Sequence, residues 1–398
     1  MNILFVGSIY SEHLVSTYQK NCKRGFQFAA QALQSSLVQG LIDNNVNLSV
    51  ITIPCVPTFP FSYRKPFLKP DDFIFKGSTI GYTIGKINIP IIKYEIGWRK
   101  RIDQWFLRTK GQKYVLIYSL SAIFFEIAKY IRKKYSDVII SIVIADLPEY
   151  MTWNKYYTML GLKERDENII NQGFKYIDKF VLLSKHMAEK LPLGKKSWIV
   201  MEGIFNPSTD IIDIPILQRK SKVVLYTGNI NRRYGIMDAV YAFTSLPDKD
   251  ISFWICGFGD SESDIREIAN RDKRIVYLGA IPRFEALQLQ QKVSLLINPR
   301  HSNEEFTRYS FPSKTMEYLA SGTPTLMCKL ACIPDEYDDY LFYIKDESIK
   351  GYRNAIMNIF EKDESYLRLF GEKAKQFILK NKTPYVQVKK ILCFLEKK

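Results

Sequence analysis

Residues 2–7 form an apolar run of strand length. Phe26, Ala29, Ala30, Leu33, Leu37 and Leu41 then recur at helical spacing, and a second apolar run follows at 46–53. A short continuous apolar run predicts a strand covered on both faces, and the three-and-four spacing predicts the helix that covers it. Strand–helix–strand in this order predicts a parallel sheet with right-handed crossovers. After an irregular stretch, 54–111, the alternation resumes, with strands at 114–119, 138–145, 180–184 and 197–202 and helices at 120–135, 169–179 and 185–191. Residues 206–221, rich in Pro, Asp and Ile, have no period and are predicted to be a hinge. From 222 the pattern restarts more cleanly. Strands are predicted at 223–227, 251–256, 274–278, 293–298, 325–328 and 341–344, and helices occupy most of 348–395. The chain is therefore read as α/β, with an N-terminal domain at 1–205 and a C-terminal domain at 222–383. Its 398 residues exceed one ordinary core, which agrees with two domains.

Composition adds constraints. At 46% hydrophobic and 25% charged residues the chain is globular. No apolar run approaches the roughly 18 residues of a spanning helix, and the N-terminus lacks the basic lead of a signal peptide. The six cysteines are scattered. Cys328 and Cys332 are close but have no second pair to complete a zinc pattern, and the three histidines are far apart, so no metal or other cofactor is expected. The net charge of +16 suits nucleic acid, an anionic membrane or an anionic substrate. With no zinc finger, aromatic RNA-binding signature or basic tail, no nucleic-acid partner is expected. Between residues 91 and 113 seven Lys/Arg stand against two acids, interleaved with Ile91, Ile92, Trp98, Trp105, Phe106 and Leu107. Such a segment suits contact with an anionic membrane surface. It also suits a helix that packs on its own sheet and shows its charges to water.

The chemistry concentrates in RYSFPSKTMEYLASGTP, residues 308–324. Pro312 and Ser313 open a short helix with Ser313 as N-cap, and Gly322 closes it in the left-handed conformation ahead of Pro324. The free N–H groups beside Ser313 and Lys314 suit a phosphate. Glu317, one turn on, suits paired hydroxyls such as those of a ribose. In the alternative, Ser313 only caps and Lys314 and Glu317 form a solvated pair. Further candidates follow strand ends: Gly228, then Arg232 and Arg233, whose forked donors suit a diphosphate; Gly279 to Arg283; and Arg300. In an open parallel sheet such positions converge. Asp146 ends a strand of the first domain in the same manner. His13 and His186 are read as surface residues.

The ordered motifs YTGNINRRYGI, ICGFGDSE, RIVYLGAIPR, LLINPR, FPSKTMEYLASGTP and IPDEYDDYLFYI resemble family 4 glycosyltransferases, the retaining GT-B enzymes of bacterial surface-polysaccharide synthesis, over about residues 222–346. The first half resembles the family in layout and in IVIADLPEYM. The resemblance implies a GT-B fold of two Rossmann-like parallel-sheet domains facing across a cleft, with the acceptor on the first and a nucleotide-sugar donor on the second. It implies that the last helix, about 384–398, packs back on the first domain. Glu317 matches the family's ribose-binding glutamate. The family's first glutamate falls at Tyr309, leaving Glu305 or the backbone of 310–313 for the sugar. The family's usual Arg and Lys fall at Asn229 and Tyr234, leaving Arg232, Arg233 or Lys314 for the diphosphate. The loop with Gly279, Ile281 and Arg283 matches the base-binding loop. No catalytic histidine matches, and Asp146 is the nearest by position.

The implied catalytic set is Asp146, Arg233 and Lys314. The implied donor set is Gly228, Arg232, Arg233, Gly279, Ile281, Arg283, Arg308, Tyr309, Ser313, Lys314, Thr315 and Glu317. The implied activity moves a hexose-type sugar from a nucleotide-sugar, UDP by family habit, to a lipid-linked or oligosaccharide acceptor with retention. The implied location is the cytoplasm, at the inner face of the plasma membrane. Two alternatives are a GT-B nucleotide-sugar epimerase and a non-catalytic nucleotide-sugar-binding partner of another transferase.

Overall fold

The computed structural model describes residues 1–23, 28–75, 79–90, 92–147, 149, 158–159, 161–207 and 222–397. Contacts divide the chain into two units, Met1–Ile204 with Pro384–Lys398, and Phe205–Thr383. Of the predicted hinge, 208–221 lie outside the described residues, as do Phe26 and much of the segment after Asp146.

The first unit contains β1 (Asn2–Gly7), α1 (Glu12–Asn21), α2 (Phe28–Asp43), β2 (Asn47–Thr52), β3 (Phe67–Leu68), β4 (Asp71–Ile74), β5 (Ile80–Thr83), β6 (Gly85–Asn88), β7 (Lys93–Ile96) and α3 (Trp98–Arg108). It continues with β8 (Lys113–Tyr118), α4 (Ala122–Lys134), β9 (Val138–Ile144), α5 (Leu162–Gly173), β10 (Lys179–Leu182), α6 (Met187–Lys190) and β11 (Ser197–Val200). Eight strands form one sheet in the order β11-β10-β9-β8-β1-β2-β5-β4. All neighbours are parallel except β4, which runs antiparallel to β5. Ile3, Leu4, Phe5 and Val6 of β1 are wholly buried, because crossover helices cover both faces of such a sheet.

Among its described residues the stretch 54–111, expected to be irregular, instead forms regular elements. It holds five strands and α3, with β3, β6 and β7 forming a separate antiparallel sheet. The interfacial reading of 91–113 is corrected in one respect. Trp98, Ile102, Trp105 and Phe106 of α3 are buried in the unit rather than turned outward. Phe106 stacks on Tyr135 at 3.8 Å, and Arg101 pairs with Asp72 at 2.9 Å. The amphipathic period of α3 thus buries its rings, and only Leu107 of the apolar set in this helix is exposed.

The second unit contains β12 (Val223–Thr227), α7 (Ile236–Thr244), β13 (Ser252–Cys256), α8 (Glu262–Arg271), β14 (Ile275–Gly279), α9 (Arg283–Lys292), β15 (Leu295–Asn298), α10 (Ser313–Ala320), β16 (Thr325–Cys328), β17 (Phe342–Ile344), α11 (Ile349–Phe360) and α12 (Glu364–Asn381). Its six strands are all parallel, in the order β14-β13-β12-β15-β16-β17. Counted in chain order this is 3-2-1-4-5-6, the Rossmann arrangement, and the order reverses between β12 and β15. Both units are thus Rossmann-like. The last helix, α13 (Pro384–Glu396), belongs to the first unit and packs on α2. The helices meet at Gly40, where a Cβ would lie 2.3 Å from the Pro384 carbonyl oxygen. Asn44 Nδ2 donates to the Tyr385 carbonyl at 2.9 Å and Lys179 Nζ to that of Phe394 at 2.8 Å.

Candidate active site

Ligands of open parallel sheets bind at the strand C-termini where the strand order reverses. In the second unit that point lies between β12 and β15. Their pairing runs only through Val224↔Leu295 and Leu225↔Leu296, so the strand ends beyond it are unpaired with each other. Tyr318 of α10 fills part of the gap. Its buried hydroxyl accepts from the Thr227 N–H at 2.8 Å and donates to the Thr227 carbonyl at 3.0 Å. Burial pushes that phenol well above its ordinary pKa, so it stays protonated. Thr227 Oγ1 in turn accepts from Gln290 Nε2 at 3.0 Å. These bonds fix α10 against the end of β12.

The loops after β12 and β15 bring two arginines to the same aromatic rings. The Arg233 guanidinium lies 4.4 Å from the Phe306 ring centroid, and that of Arg300 lies 4.8 Å from the Tyr234 ring centroid. The two rings meet edge to face at 5.8 Å. Neither arginine has a carboxylate partner among the described residues. The loops touch closely at Gly235, φ 74°, where a Cβ would lie 2.0 Å from the Pro299 carbonyl oxygen. Any side chain there would push the loops apart.

His301, which sequence reasoning passed over, secures the β15 loop. Its Nε2 lies 2.6 Å from Asp238 Oδ2 and its Nδ1 lies 3.2 Å from Glu347 Oε2. Glu347 also accepts from the Ser302 N–H at 3.1 Å. The signal was available only as a histidine directly after Pro299-Arg300, since its partners are remote in sequence, Asp238 on α7 and Glu347 in the loop between β17 and α11.

The second cluster surrounds Glu317, whose side chain is 15% exposed. Lys314 Nζ reaches one carboxylate oxygen at 2.7 Å and Arg283 Nη2 the other at 3.2 Å. Burial opposes ionisation of Glu317, but the two cations outweigh it and hold the carboxyl below its ordinary range. Two cations occupy part of the acceptor capacity of a carboxylate, which leaves lone pairs for hydroxyl donors. Lys314 and Glu317 therefore do pair, with Arg283 as a third member.

Gly228 directly follows β12, and its neighbour Gly257 approaches so closely that a Cβ on Gly257 would lie 1.7 Å from the Gly228 oxygen. Gly279 has φ 71° and open space around its Cβ position, and its carbonyl accepts from the Gly257 N–H at 2.8 Å. Ile281, partly buried, packs against the apolar cluster that includes Tyr318 and Cys256. Arg308 is exposed in the turn before α10. Ser313 is exposed but is not the N-cap. Pro312 takes that position and Ser313 begins the helix, so its hydroxyl is not used for capping. Gly322 follows α10 at φ 75°, as expected. Arg232 turns away from Arg233 to pair with Asp264, while its N–H donates to Asp260 Oδ1 at 2.8 Å. Thr315 is wholly buried, with its hydroxyl against Asn298 Nδ2 at 3.4 Å and Met327 Sδ at 3.7 Å, so its side chain serves packing rather than a surface ligand. Tyr309 is likewise buried, so the departure from the glutamate motif puts a ring in the interior.

In the first unit Asp146 follows β9 at the C-terminal edge. The residue is exposed by area, yet protein atoms crowd its carboxyl, and the lost hydration pushes its pKa up. It adds to the field that raises the buried Tyr118 phenol, after burial itself.

Residues 221–362 match the model of a family described as glycosyl transferases group 1. No curated protein sequence matches the chain. Among solved structures, sucrose-phosphate synthase from Thermosynechococcus elongatus superposes with a TM-score of 0.63 at 13% identity, covering 99% of this chain and 98% of that one. The catalytic domain of starch synthase IV from Arabidopsis thaliana, bound to ADP and acarbose, gives 0.63 at 10% identity over 99% and 98%. A TarM variant from S. aureus, in complex with fondaparinux, alpha-GlcNAc-glycerol and UDP, gives 0.59 at 10% identity over all of both chains. At such identities the likeness defines the fold, which is GT-B. The domain match adds the class, a glycosyltransferase, with its group 1 domain in the second unit.

Proposed function

We propose that the chain transfers a hexose-type sugar from a UDP-sugar to a lipid-linked or oligosaccharide acceptor in surface-polysaccharide synthesis, with retained configuration, at the cytoplasmic face of the membrane. The observation that carries the donor assignment is the Arg233–Arg300 pair at the reversal point of the second sheet, two guanidiniums on shared rings without a carboxylate. Like charges held together call for an anion between them, and a diphosphate presents the planar oxygens that guanidinium forks match. Arg300 then replaces the cation that the family has where this chain has Tyr234. The exposed start of α10, with Ser313 and Lys314, adds free N–H donors and charge. Glu317 takes the ribose hydroxyls, and the 279–283 loop holds the base.

In the reaction the bond between the anomeric carbon and the diphosphate oxygen breaks as the acceptor hydroxyl bonds to that carbon. The departing phosphate oxygen takes the acceptor's proton. The arginines stabilise the charge that grows on the diphosphate. Asp146, with its raised pKa, is assigned to the acceptor side.

Titration calorimetry with UDP, ADP and GDP, followed by nucleotide release from a panel of UDP-sugars with and without acceptor, tests this. Tight UDP binding and acceptor-dependent release are expected. Sugar interconversion without release would identify an epimerase, and binding without turnover a non-catalytic partner. Absence of nucleotide binding would sink the donor assignment.

A further inference from the structure

The antiparallel sheet β3–β6–β7 is polar on its inner face and apolar on its outer one. Lys86, which is buried, and Glu95, half-buried opposite it on β7, form an ion pair at 3.1 Å. Lys86 Nζ also donates to the Pro54 carbonyl at 2.8 Å, and Asn88 Nδ2 to that of Pro57 at 2.7 Å. Side chains alternate across a strand, so the register Phe67↔Ile87↔Tyr94 sets these three in a row across the other face. Ile96 lies two residues further on that face. Phe67, Tyr94 and Ile96 are 59%, 53% and 51% exposed. Single exposed apolar residues are ordinary, but a contiguous row marks an interaction surface.

The rim is basic. Arg64, Lys65 and Lys69 flank β3, Arg99 and Lys100 follow β7, and all five are exposed. Residues 58–70 contain no acid, and the only acid of 85–101 is Glu95, which faces inward.

We propose that this face docks on an anionic lipid bilayer. The inference deepens the membrane-associated reading above and rests on it for why a bilayer is at hand. Apolar side chains ringed by Lys and Arg match the acyl boundary and acidic headgroups of such a surface, and tyrosine suits the headgroup level. A second copy would press the same positive rim against itself, and like-charge juxtaposition disfavours that partner. The surface also takes over the part expected of α3, whose tryptophans are interior.

The test is flotation of the full chain with phosphatidylcholine vesicles, with and without phosphatidylglycerol, at low and high salt. The wild-type chain is expected to float only with the anionic vesicles and to lose binding in high salt. Phe67→Ser with Ile96→Ser, and Arg64→Glu with Lys65→Glu, are each expected to lower partitioning about tenfold or more. UDP affinity, measured in parallel, is expected to stay at the wild-type value in both variants, which also shows that they fold. No flotation of the wild-type chain, or unchanged flotation of both variants, overturns the proposal. A wild-type dimer that the apolar double variant dissolves would assign the face to a second copy. Flotation without UDP binding would uphold this surface while sinking the donor site.

Discussion

The Tyr318 hydroxyl replaces a missing strand partner for Thr227. It accepts from the Thr227 N–H at 2.8 Å and donates to the Thr227 carbonyl at 3.0 Å, where β12 and β15 have ceased to pair. The residue that holds the candidate ribose ligand's helix in place is thus bonded to the strand end that leads into the loop of Arg232 and Arg233, the loop proposed to meet the diphosphate. Tyr318→Phe removes the hydroxyl and leaves two buried backbone groups unpaired. It is expected to cost about 1–3 kcal/mol, read from the urea midpoint at constant m-value, and to weaken UDP binding.

Arg233→Ala and Arg300→Ala are each expected to weaken UDP binding about tenfold or more by calorimetry, with thermal stability nearly unchanged. Arg233→Lys keeps the charge but loses the forked donors and the stacking on Phe306, so it recovers only part. Arg232→Ala, by contrast, breaks an ion pair with Asp264 on α8 and is expected to leave UDP affinity near the wild-type value. Equal losses for Arg232 and Arg233 would sink this division of labour.

His301 is a positioning residue. His301→Ala removes the ring between Asp238 and Glu347 and frees the loop that carries Arg300. The donor KM is expected to rise about tenfold with kcat changed less, since lost orientation in binding acts mainly there. His301→Gln, which can still bond to one carboxylate, is expected to recover part of the loss. A fall in kcat alone would contradict a positioning role.

Glu317 makes folding stability depend on acid pH. Its folded pKa is below the ordinary value of 4.5, because Lys314 and Arg283 outweigh burial. A depressed carboxyl contributes stability that is complete above 4.5 and is lost as pH falls through the folded pKa. Urea unfolding from about pH 7 down to about pH 3 should show this loss, and Glu317→Gln should flatten it. An identical acid limb in wild type and variant would show that the carboxyl is not held by these cations.

The sequence by itself determined the features that depend on near neighbours. Apolar runs marked six of the eight strands of the first parallel sheet and all six of the second, because a strand buried on two faces needs no polar alternation; β4 and β5 were not marked. The end of α10 was legible in Gly322, because the left-handed backbone there requires no side chain. Where a local rule had two solutions the reading slipped by one residue, as at Ser313, with Pro312 taking the cap.

Only the tertiary structure decided which charges remote in sequence meet. Arg283 reaches Glu317 across 34 residues, Arg232 reaches Asp264 across 32, and His301 reaches Asp238 across 63. Those pairings follow from strand order and from which loops a parallel sheet brings to one edge, and no local period encodes that order. The same holds for the first unit. Residues 91–113 announced tryptophans and basic charge, but the packing of α3 buried the rings. The register of β3, β6 and β7 then turned a different apolar row outward, because a strand's outward face is fixed by what its other face bonds to.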